Sequence, residues 1–340
     1  MEWLKAVPKV EIHLHMEGAI PLEALWDLLE KYGGDPSVPD FGMLEKRFEY
    51  RDFSHFIDTW KWKNGFLREY DDFTLIAQAV AKDLAAQNIR YAEVFFSPTD
   101  FSAHGLGVGE IAEAIRTGLS RVPQTEVALV ADLVRDHGPK RASRTLAEIN
   151  EVRGMGVIGI GIGGSEHEFP PEPFEDVYEE ARRLGFRTSA HAGEAAGPES
   201  IWGAIRALRV DRIGHGTHAS MDEELLEYLA SSEITLEMCP MSNVKTKVVN
   251  SVCEHPIGRF LEKGIKVTIN TDDPRMFGNA LHQEFAAVQE ELGFSDDDVR
   301  ALILQGIRSS WLSDDRKASL EKEFVEDPSW TGAAIIEKCL

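Results

Sequence analysis

Cysteine is scarce in this chain, and basic residues are outnumbered by acidic ones. Only three cysteines, Cys239, Cys253 and Cys339, occur among 340 residues, and they form no CxxC pair. An odd number without paired spacing argues against a disulfide framework and predicts a reducing compartment. Thirty-six basic against 58 acidic residues give a formal charge of −22, which repels nucleic-acid phosphate and anionic lipid. We therefore expect neither nucleic acid nor a membrane as a partner.

Long hydrophobic runs and linker-like segments are also missing. Residues 1–8 have no apolar signal core, and no run approaches the length of a membrane span. Neither a Pro/Gly/Ser-rich linker nor a low-complexity tract interrupts the chain. The apolar content of 43%, with 28% charged residues, is typical of a globular protein. We therefore predict a cytoplasmic protein with a single domain, residues 1–340.

Apolar, β-branched segments alternate with amphipathic helical stretches along most of the chain. The strand-like segments are 10–15, 90–97, 126–134, 157–162, 187–191, 212–215, 234–239 and 266–270. The helical stretches are 21–32, 71–87, 108–121, 139–153, 173–184, 198–208, 222–230, 256–263 and 279–292. Eight βα units in succession predict a fold of the α/β class, a parallel (β/α)₈ TIM barrel with its active site at the carboxyl ends of the strands.

Two segments fall outside this alternation. Residues 35–70 follow no clean period and are rich in aromatic residues, namely Phe41, Phe48, Tyr50, Phe53, Phe56, Trp60, Trp62 and Phe66. We expect an aromatic-rich helical insertion after strand 1, which either caps an apolar pocket or fastens itself to the barrel. The tail from Ser295 is expected to add one or two C-terminal helices.

One glycine motif imitates a dinucleotide site. Residues 159–164 match the pattern G-x-G-x-x-G, which binds pyrophosphate when a helix begins at the third glycine. The segment after Gly164 instead contains Pro170 and Pro171 and has no apolar helical period. We therefore predict a loop that lets the backbone approach a ligand closely.

Ionisable residues collect where the predicted strands end. The alternation of residues 10–15 places His13 and His15 on the same side of the first strand. The fifth strand ends in His191-Ala192-Gly193-Glu194, the sixth in Gly214-His215-Gly216 and the eighth in Asn270-Thr271-Asp272-Asp273-Pro274. Each motif alone could be a buried histidine or a turn, but their shared position predicts a common site.

These residue types favour a single divalent metal ion. Three nitrogens and one oxygen, with a position left for water, would come from His13, His15, His191 and Asp272. The ion would lower the pKa of that water. Asp273 and His215 can take its proton and aim the hydroxide, and Glu194 remains as a general acid. The set predicts a metal-assisted hydrolase that acts on a planar C=N or C=O centre.

In order and spacing, these four motifs resemble those of the adenosine/adenine deaminase family of metal-dependent barrel amidohydrolases, across almost the whole chain. The resemblance implies a small-molecule substrate and hydrolytic deamination at C6 of a 6-aminopurine nucleoside. Adenosine or 2′-deoxyadenosine would become inosine or 2′-deoxyinosine, with release of ammonia. It also implies one zinc ion per chain.

The resemblance assigns a role to each matching residue. The expected zinc ligands are His13, His15, His191 and Asp272. Glu194 would protonate N1, His215 would orient the attacking hydroxide, and Asp273 would bond to N7. The other expected substrate contacts are His15, Glu17 and Gly164, whose backbone matches the family glycine at N3. Ser242 would support the metal shell.

Two departures from the family pattern concern the substrate. Glu17 stands where adenosine-using members usually carry Asp, and its extra methylene reaches toward the space of a ribose. The usual Asp-Leu-Ala-Gly-Asp-Glu of the fourth strand reads Gly161-Ile162-Gly163-Gly164-Ser165-Glu166. Residues 195–202 and 242–246, by contrast, are more similar to bacterial adenosine deaminases. Four alternatives stay open: an adenine deaminase, a deaminase of a modified nucleoside such as aminodeoxyfutalosine, a hydrolase of cyclic amides or esters, and a catalytically silent purine-binding barrel.

Overall fold

Eight parallel strands form the centre of the computed structural model, which describes residues 2–50 and 53–331. They pair in chain order as β1 (Lys9–His15), β2 (Ile89–Phe96), β3 (Glu126–Asp132), β4 (Val157–Gly161), β5 (Arg187–Ala192), β6 (Arg212–His215), β7 (Thr235–Met238) and β8 (Lys266–Ile269). Just beyond β8, Asp272 N donates to His13 O at 3.1 Å and accepts at its carbonyl from His15 N at 2.9 Å. These bonds join the last strand to the first, and the predicted (β/α)₈ TIM barrel is confirmed.

Helices surround the strands. The α-helices are Glu2–Ala6, Leu22–Lys31, Phe41–Arg47, Phe53–Asn64, Tyr70–Ala86, Val108–Leu119, Gly138–Glu151, Glu175–Arg183, Pro198–Gly203, Glu223–Ser231, Pro240–Lys245, Ile257–Glu262, Pro274–Phe277, Leu281–Leu292, Asp296–Ser309 and Asp314–Val325. Shorter 3₁₀ turns span Pro98–His104, Arg135–His137, Arg153–Met155, Glu172–Phe174, Thr217–Met221 and Val252–Glu254, and a π-helical turn spans Ala204–Leu208. Among the described residues, no helix has both the length and the apolar character that crossing a bilayer requires.

The strands are covered on both sides, as expected of a parallel barrel. All seven residues of β1 are buried, because one face meets the barrel interior and the other meets the outer helices. The outer helices bury the predicted apolar stripes; in Val108–Leu119, for example, Ile111, Ile115 and Leu119 face inward. The core therefore lies mainly between the strands and the helix layer.

The insertion after β1 forms two helices, Phe41–Arg47 and Phe53–Asn64. Trp62 Nε1 donates to Asp35 Oδ2 at 2.7 Å, and the Arg47 guanidinium lies 4.2 Å from the centre of a Trp62 ring. Both contacts lie within the insertion, so Trp62 ties its parts together. The insertion also reaches the end of β1, because the buried Lys63 Nζ donates to Glu17 O at 2.7 Å. The side chains of Phe53 and Phe56 lie outside the described residues.

Up to residue 331, the C-terminal segment forms two helices, Asp296–Ser309 and Asp314–Val325. Asp296–Ser309 packs against β8 and β1, and the approach is close, since a Cβ on Gly306 would lie 2.6 Å from Val10 Cγ2. Cys239 is buried and Cys253 is exposed, and both are free thiols, as the spacing of the cysteines predicts. Cys339 lies outside the described residues.

The segment that follows the glycine motif is a loop, as predicted. The strand ends at Gly161, and the next helical turn begins only at Glu172. Gly164 has a φ of +100°, and a Cβ there would lie 2.0 Å from Asp136 Oδ2. Only glycine avoids both penalties at this position.

Candidate active site

Four imidazoles and one carboxylate meet at the carboxyl end of the barrel. Donor atoms of His13, His191, His215 and Asp272 all lie within 4.8 Å of one another. His15 Nε2 lies 3.2 Å from His191 Nε2 and 3.4 Å from Asp272 Oδ1. All five residues are buried. The structure therefore brings together the four predicted metal ligands and adds His215 to their group.

This donor set fits a divalent cation. His13 donates through Nδ1 to Glu237 Oε2 at 2.7 Å, so Nε2 is the ring nitrogen that faces the other ligands, 3.6 Å from Asp272 Oδ1. That Nε2 is buried without a hydrogen-bond partner among the described residues, a costly arrangement unless something binds it. Burial and the neighbouring imidazoles hold the pKa of His191 well below its usual range, so this ring is neutral. Neutral imidazoles with one carboxylate are donors that zinc favours.

Two residues of the site have strained backbones. His215 has a φ of +60° and Asp272 a φ of +65°, in the left-handed region that residues other than glycine rarely occupy. The bonds of Asp272 to His13 and His15 hold it there. Such strain persists when the surrounding structure fixes the conformation, and it concentrates at functional sites.

Groups behind the ligands hold them in place. Ser242 Oγ donates to Asp272 Oδ2 at 2.7 Å, the contact expected of a residue that supports the metal shell. The ring of Phe95 stacks on His15 with centroids 5.2 Å apart. Arg212 Nε lies 2.6 Å from Glu237 Oε1; the two pair as charges, because the N–H is poorly aligned for a hydrogen bond. The bond from Ser242 orients Asp272, and Arg212 holds the carboxylate that accepts from His13.

The hydrogen-bond partners of His215 define its tautomer. Asn243 Oδ1 lies 3.1 Å from both Thr217 Oγ1 and His255 Nε2. These partners assign the oxygen of Asn243, so its Nδ2 donates to His215 Nδ1 at 3.1 Å. Burial lowers the pKa of His215 to about 4, and the neutral ring carries its proton on Nε2. His215 therefore offers an N–H donor to the site, which suits orienting an oxygen better than removing its proton.

Glu194 faces this donor. Its Oε2 lies 3.4 Å from His215 Nε2. Burial, helped by the charges of Asp272 and Glu166, raises the pKa of Glu194 to about 8. A carboxyl group with this pKa is protonated at neutral pH and can act as a general acid.

Two further carboxyl groups border the site. Asp273 Oδ1 and Glu17 Oε2 are buried without a hydrogen-bond partner among the described residues. Glu17 is held by its other oxygen, which accepts from Ser97 N at 3.0 Å. Burial, followed by the charge of Asp272, holds the pKa of Asp273 well above its usual range. Gly164 lies in the rim loop after β4, outside the group of converging side chains.

Several supporting residues escaped the sequence analysis. Glu237 and Arg212 support the ligand His13, and Asn243 supports His215. The sequence feature that could have revealed such residues is a polar side chain in a segment predicted to be fully buried. Glu237 in Thr235-Leu236-Glu237-Met238 is an example. A buried charge is expensive without a partner, so such a residue marks a polar network inside the barrel.

Comparison with known proteins places the chain among deaminases. The family model for adenosine deaminase matches residues 8–327. An adenine deaminase of Bordetella parapertussis is 35% identical over 88% of this chain and 96% of its own length. An aminodeoxyfutalosine deaminase of Streptomyces coelicolor is 33% identical over 95% of this chain and 84% of its own. The crystal structure of an amidohydrolase from Burkholderia ambifaria with bound zinc has a TM-score of 0.88 and 27% identity, covering 100% of this chain and 94% of that one.

Proposed function

The chain belongs to the adenosine deaminase family, and from this we propose that it hydrolyses the 6-amino group of a 6-aminopurine nucleoside, adenosine or 2′-deoxyadenosine. It is a hydrolytic deaminase, an enzyme that acts on a C–N bond. The observation that carries the proposed reaction is the pairing of Glu194 with His215, 3.4 Å apart beside the converging ligands. The catalytic unit is the whole chain, residues 1–340.

We assign one zinc ion per chain to the four ligands His13, His15, His191 and Asp272. The unpartnered Nε2 of His13 and the neutral ring of His191 support this assignment, as does the zinc of the Burkholderia relative. When bound, the ion would lower the pKa of a water molecule toward neutrality.

Side chains of the site carry out the proton transfer and orient the reacting groups. Glu194 donates a proton to N1 of the purine while the water oxygen bonds to C6. His215 Nε2–H donates to that oxygen and orients it, and the protonated Asp273 donates to N7. The C6–N6 bond then breaks and the amino group leaves as ammonia. Glu194, left as a carboxylate, takes one of the two water protons and so regains its acid form, and the other water proton ends on ammonia.

Free adenine is a second candidate, favoured by the position of Glu17. Its Oε1 is fixed by Ser97 N, and its Oε2 remains buried without a partner among the described residues. An unpartnered carboxylate oxygen suits a ring N–H, which free adenine has and an N9-substituted purine lacks at that nitrogen. The name of the Bordetella relative agrees with this candidate, and that of the Streptomyces relative with a modified nucleoside.

The test is ammonia release by the zinc-loaded protein with adenosine, 2′-deoxyadenosine, adenine and aminodeoxyfutalosine in parallel, together with metal analysis. Turnover of the first two, with one zinc per chain, supports the proposal. Turnover of adenine alone, or of aminodeoxyfutalosine alone, replaces the proposed substrate with that compound. Inactivity toward all four in a protein that binds zinc overturns the proposed function.

A further inference from the structure

One buried carboxylate outside the predicted site binds the loop that carries Glu194. Glu166 follows β4 and is 4% exposed. Its Oε1 accepts from Gly193 N at 2.5 Å, and its Oε2 accepts from the N–H groups of Glu194, Ala195 and Ala196 at 3.1, 2.7 and 3.1 Å. Four successive amides thus point at one side chain.

Four amides are what an ionised carboxylate can accommodate. Its two oxygens offer about four lone-pair positions, whereas a glutamine amide offers acceptors on one side only. Hydrogen bonds to a charged acceptor are shorter and stronger than neutral ones. The contact is therefore specific to glutamate at this position.

The loop that carries Glu166 is itself anchored. Ser165 N and Oγ donate to the two carboxylate oxygens of Asp136, at 2.9 and 2.6 Å. The fully buried Arg135 donates to His191 O at 2.6 Å and to Phe169 O at 2.8 Å. Arg135 thereby links the end of β5 to the far side of the loop, so the backbone around Glu166 is held in place.

From this geometry we infer that Glu166 is a positioning residue, whose carboxylate fixes the backbone of residues 193–196 and so aims the Glu194 side chain. The inference rests on the proposed function, because it assumes that Glu194 is the proton donor. Glu166 acts through the main chain, three residues beyond the proposed ligand His191. Its charge also lies close enough to Glu194 to favour the protonated form of that group.

Glu166→Gln tests the inference, with Glu199→Gln as the matched control. Glu199 accepts from the next amide, Gly197 N, at 3.0 Å, but at the surface. Amide hydrogen exchange should accelerate in residues 193–196 of the Glu166 variant and stay unchanged in the control. We expect kcat to fall about 10–100-fold with little change in KM, since a small misplacement of a catalytic group is costly. The alkaline limb of the pH profile should move to lower pH, because a negative neighbour has been removed.

A purely structural role would lower activity equally at every pH and would leave the alkaline limb in place. That result, or unchanged exchange in residues 193–196, overturns the inference. If Glu166→Gln does not fold, Glu166→Asp keeps the charge but is one methylene shorter, and it should show the same faster exchange and lower kcat. The two proposals fail differently: an inactive parent protein removes the proposed function, whereas an active parent with a fully active Glu166→Gln variant removes only the positioning role.

Discussion

Asp273 lies directly against the backbone of Gly18. A Cβ built on Gly18 would be 1.7 Å from Asp273 Oδ1 and 2.5 Å from its Cγ. The two chain segments are also joined by a hydrogen bond from Arg275 N to Gly18 O at 2.9 Å, so neither can move away freely. Gly18 therefore holds open the space in which the Asp273 carboxyl group lies.

We predict that Gly18→Ala displaces Asp273 and lowers kcat/KM by about 100-fold, the cost typical of a 1 Å misplacement at an active site. Gly258→Ala is the control, because a Cβ at that helical position meets nothing within 4 Å. Steady-state kinetics of both variants, with zinc content measured, provide the comparison. Full activity in Gly18→Ala would show that Asp273 can move without loss, and so would remove its proposed contact with N7.

The pH profile should report the ionisation of Glu194. Because its pKa is raised to about 8, the acid form dominates at neutral pH and is lost as the pH rises through 8. A general acid acts in its protonated form, so we expect kcat/KM to decline above pH 8.

Glu194→Gln should reduce kcat by about 10²–10⁴-fold, remove this decline and leave the zinc content intact. Glu168→Gln, at a largely exposed position, should behave like the parent protein. A Glu194→Gln variant that keeps its activity, or its alkaline decline, would exclude Glu194 as the proton donor.

The strand positions and the main site residues follow from local rules. A parallel barrel brings the ends of all its strands to one rim, so His13, His191 and Asp272 could be placed together although more than 70 residues separate each from the next. The alternation in β1 likewise placed His13 and His15 on one side. Both inferences need only the element order and the period of a strand.

The supporting network could not be predicted in this way. Glu237 contacts His13 across the barrel interior, and Arg212 reaches both Glu237 and Glu93. Which charges pair depends on the stagger of neighbouring strands, and register shifts interrupt the pairing of β1 with β2 and of β3 with β4. The role of Glu166 also depends on the shape of a loop, whose path hydrophobic periodicity does not define.

Removing the charge of Glu237 should weaken metal binding. Its carboxylate accepts from His13 Nδ1 at 2.7 Å and so orients the ring that offers Nε2. We expect Glu237→Gln to lower zinc affinity about 10–100-fold, as loss of such a partner usually does. Competition with a chromogenic chelator measures the affinity directly. Glu233→Gln, at a side chain that is 98% exposed, is the control, and equal affinity in the two variants would contradict the orienting role.

Glu17 should control which group the enzyme accepts at N9. Ser97 N fixes one carboxylate oxygen, so the length of the side chain determines how far the other projects. Glu17→Asp shortens the side chain by one methylene, a change worth about 10–200-fold in discrimination. We expect the ratio of kcat/KM for adenosine to that for adenine to rise by about tenfold or more. Glu17→Gln keeps the length of the side chain and removes its charge, so it separates the effect of length from that of charge. A ratio that changes in Glu17→Gln but not in Glu17→Asp would assign selectivity to the charge. An unchanged ratio in both variants would mean that another residue makes the discriminating contact.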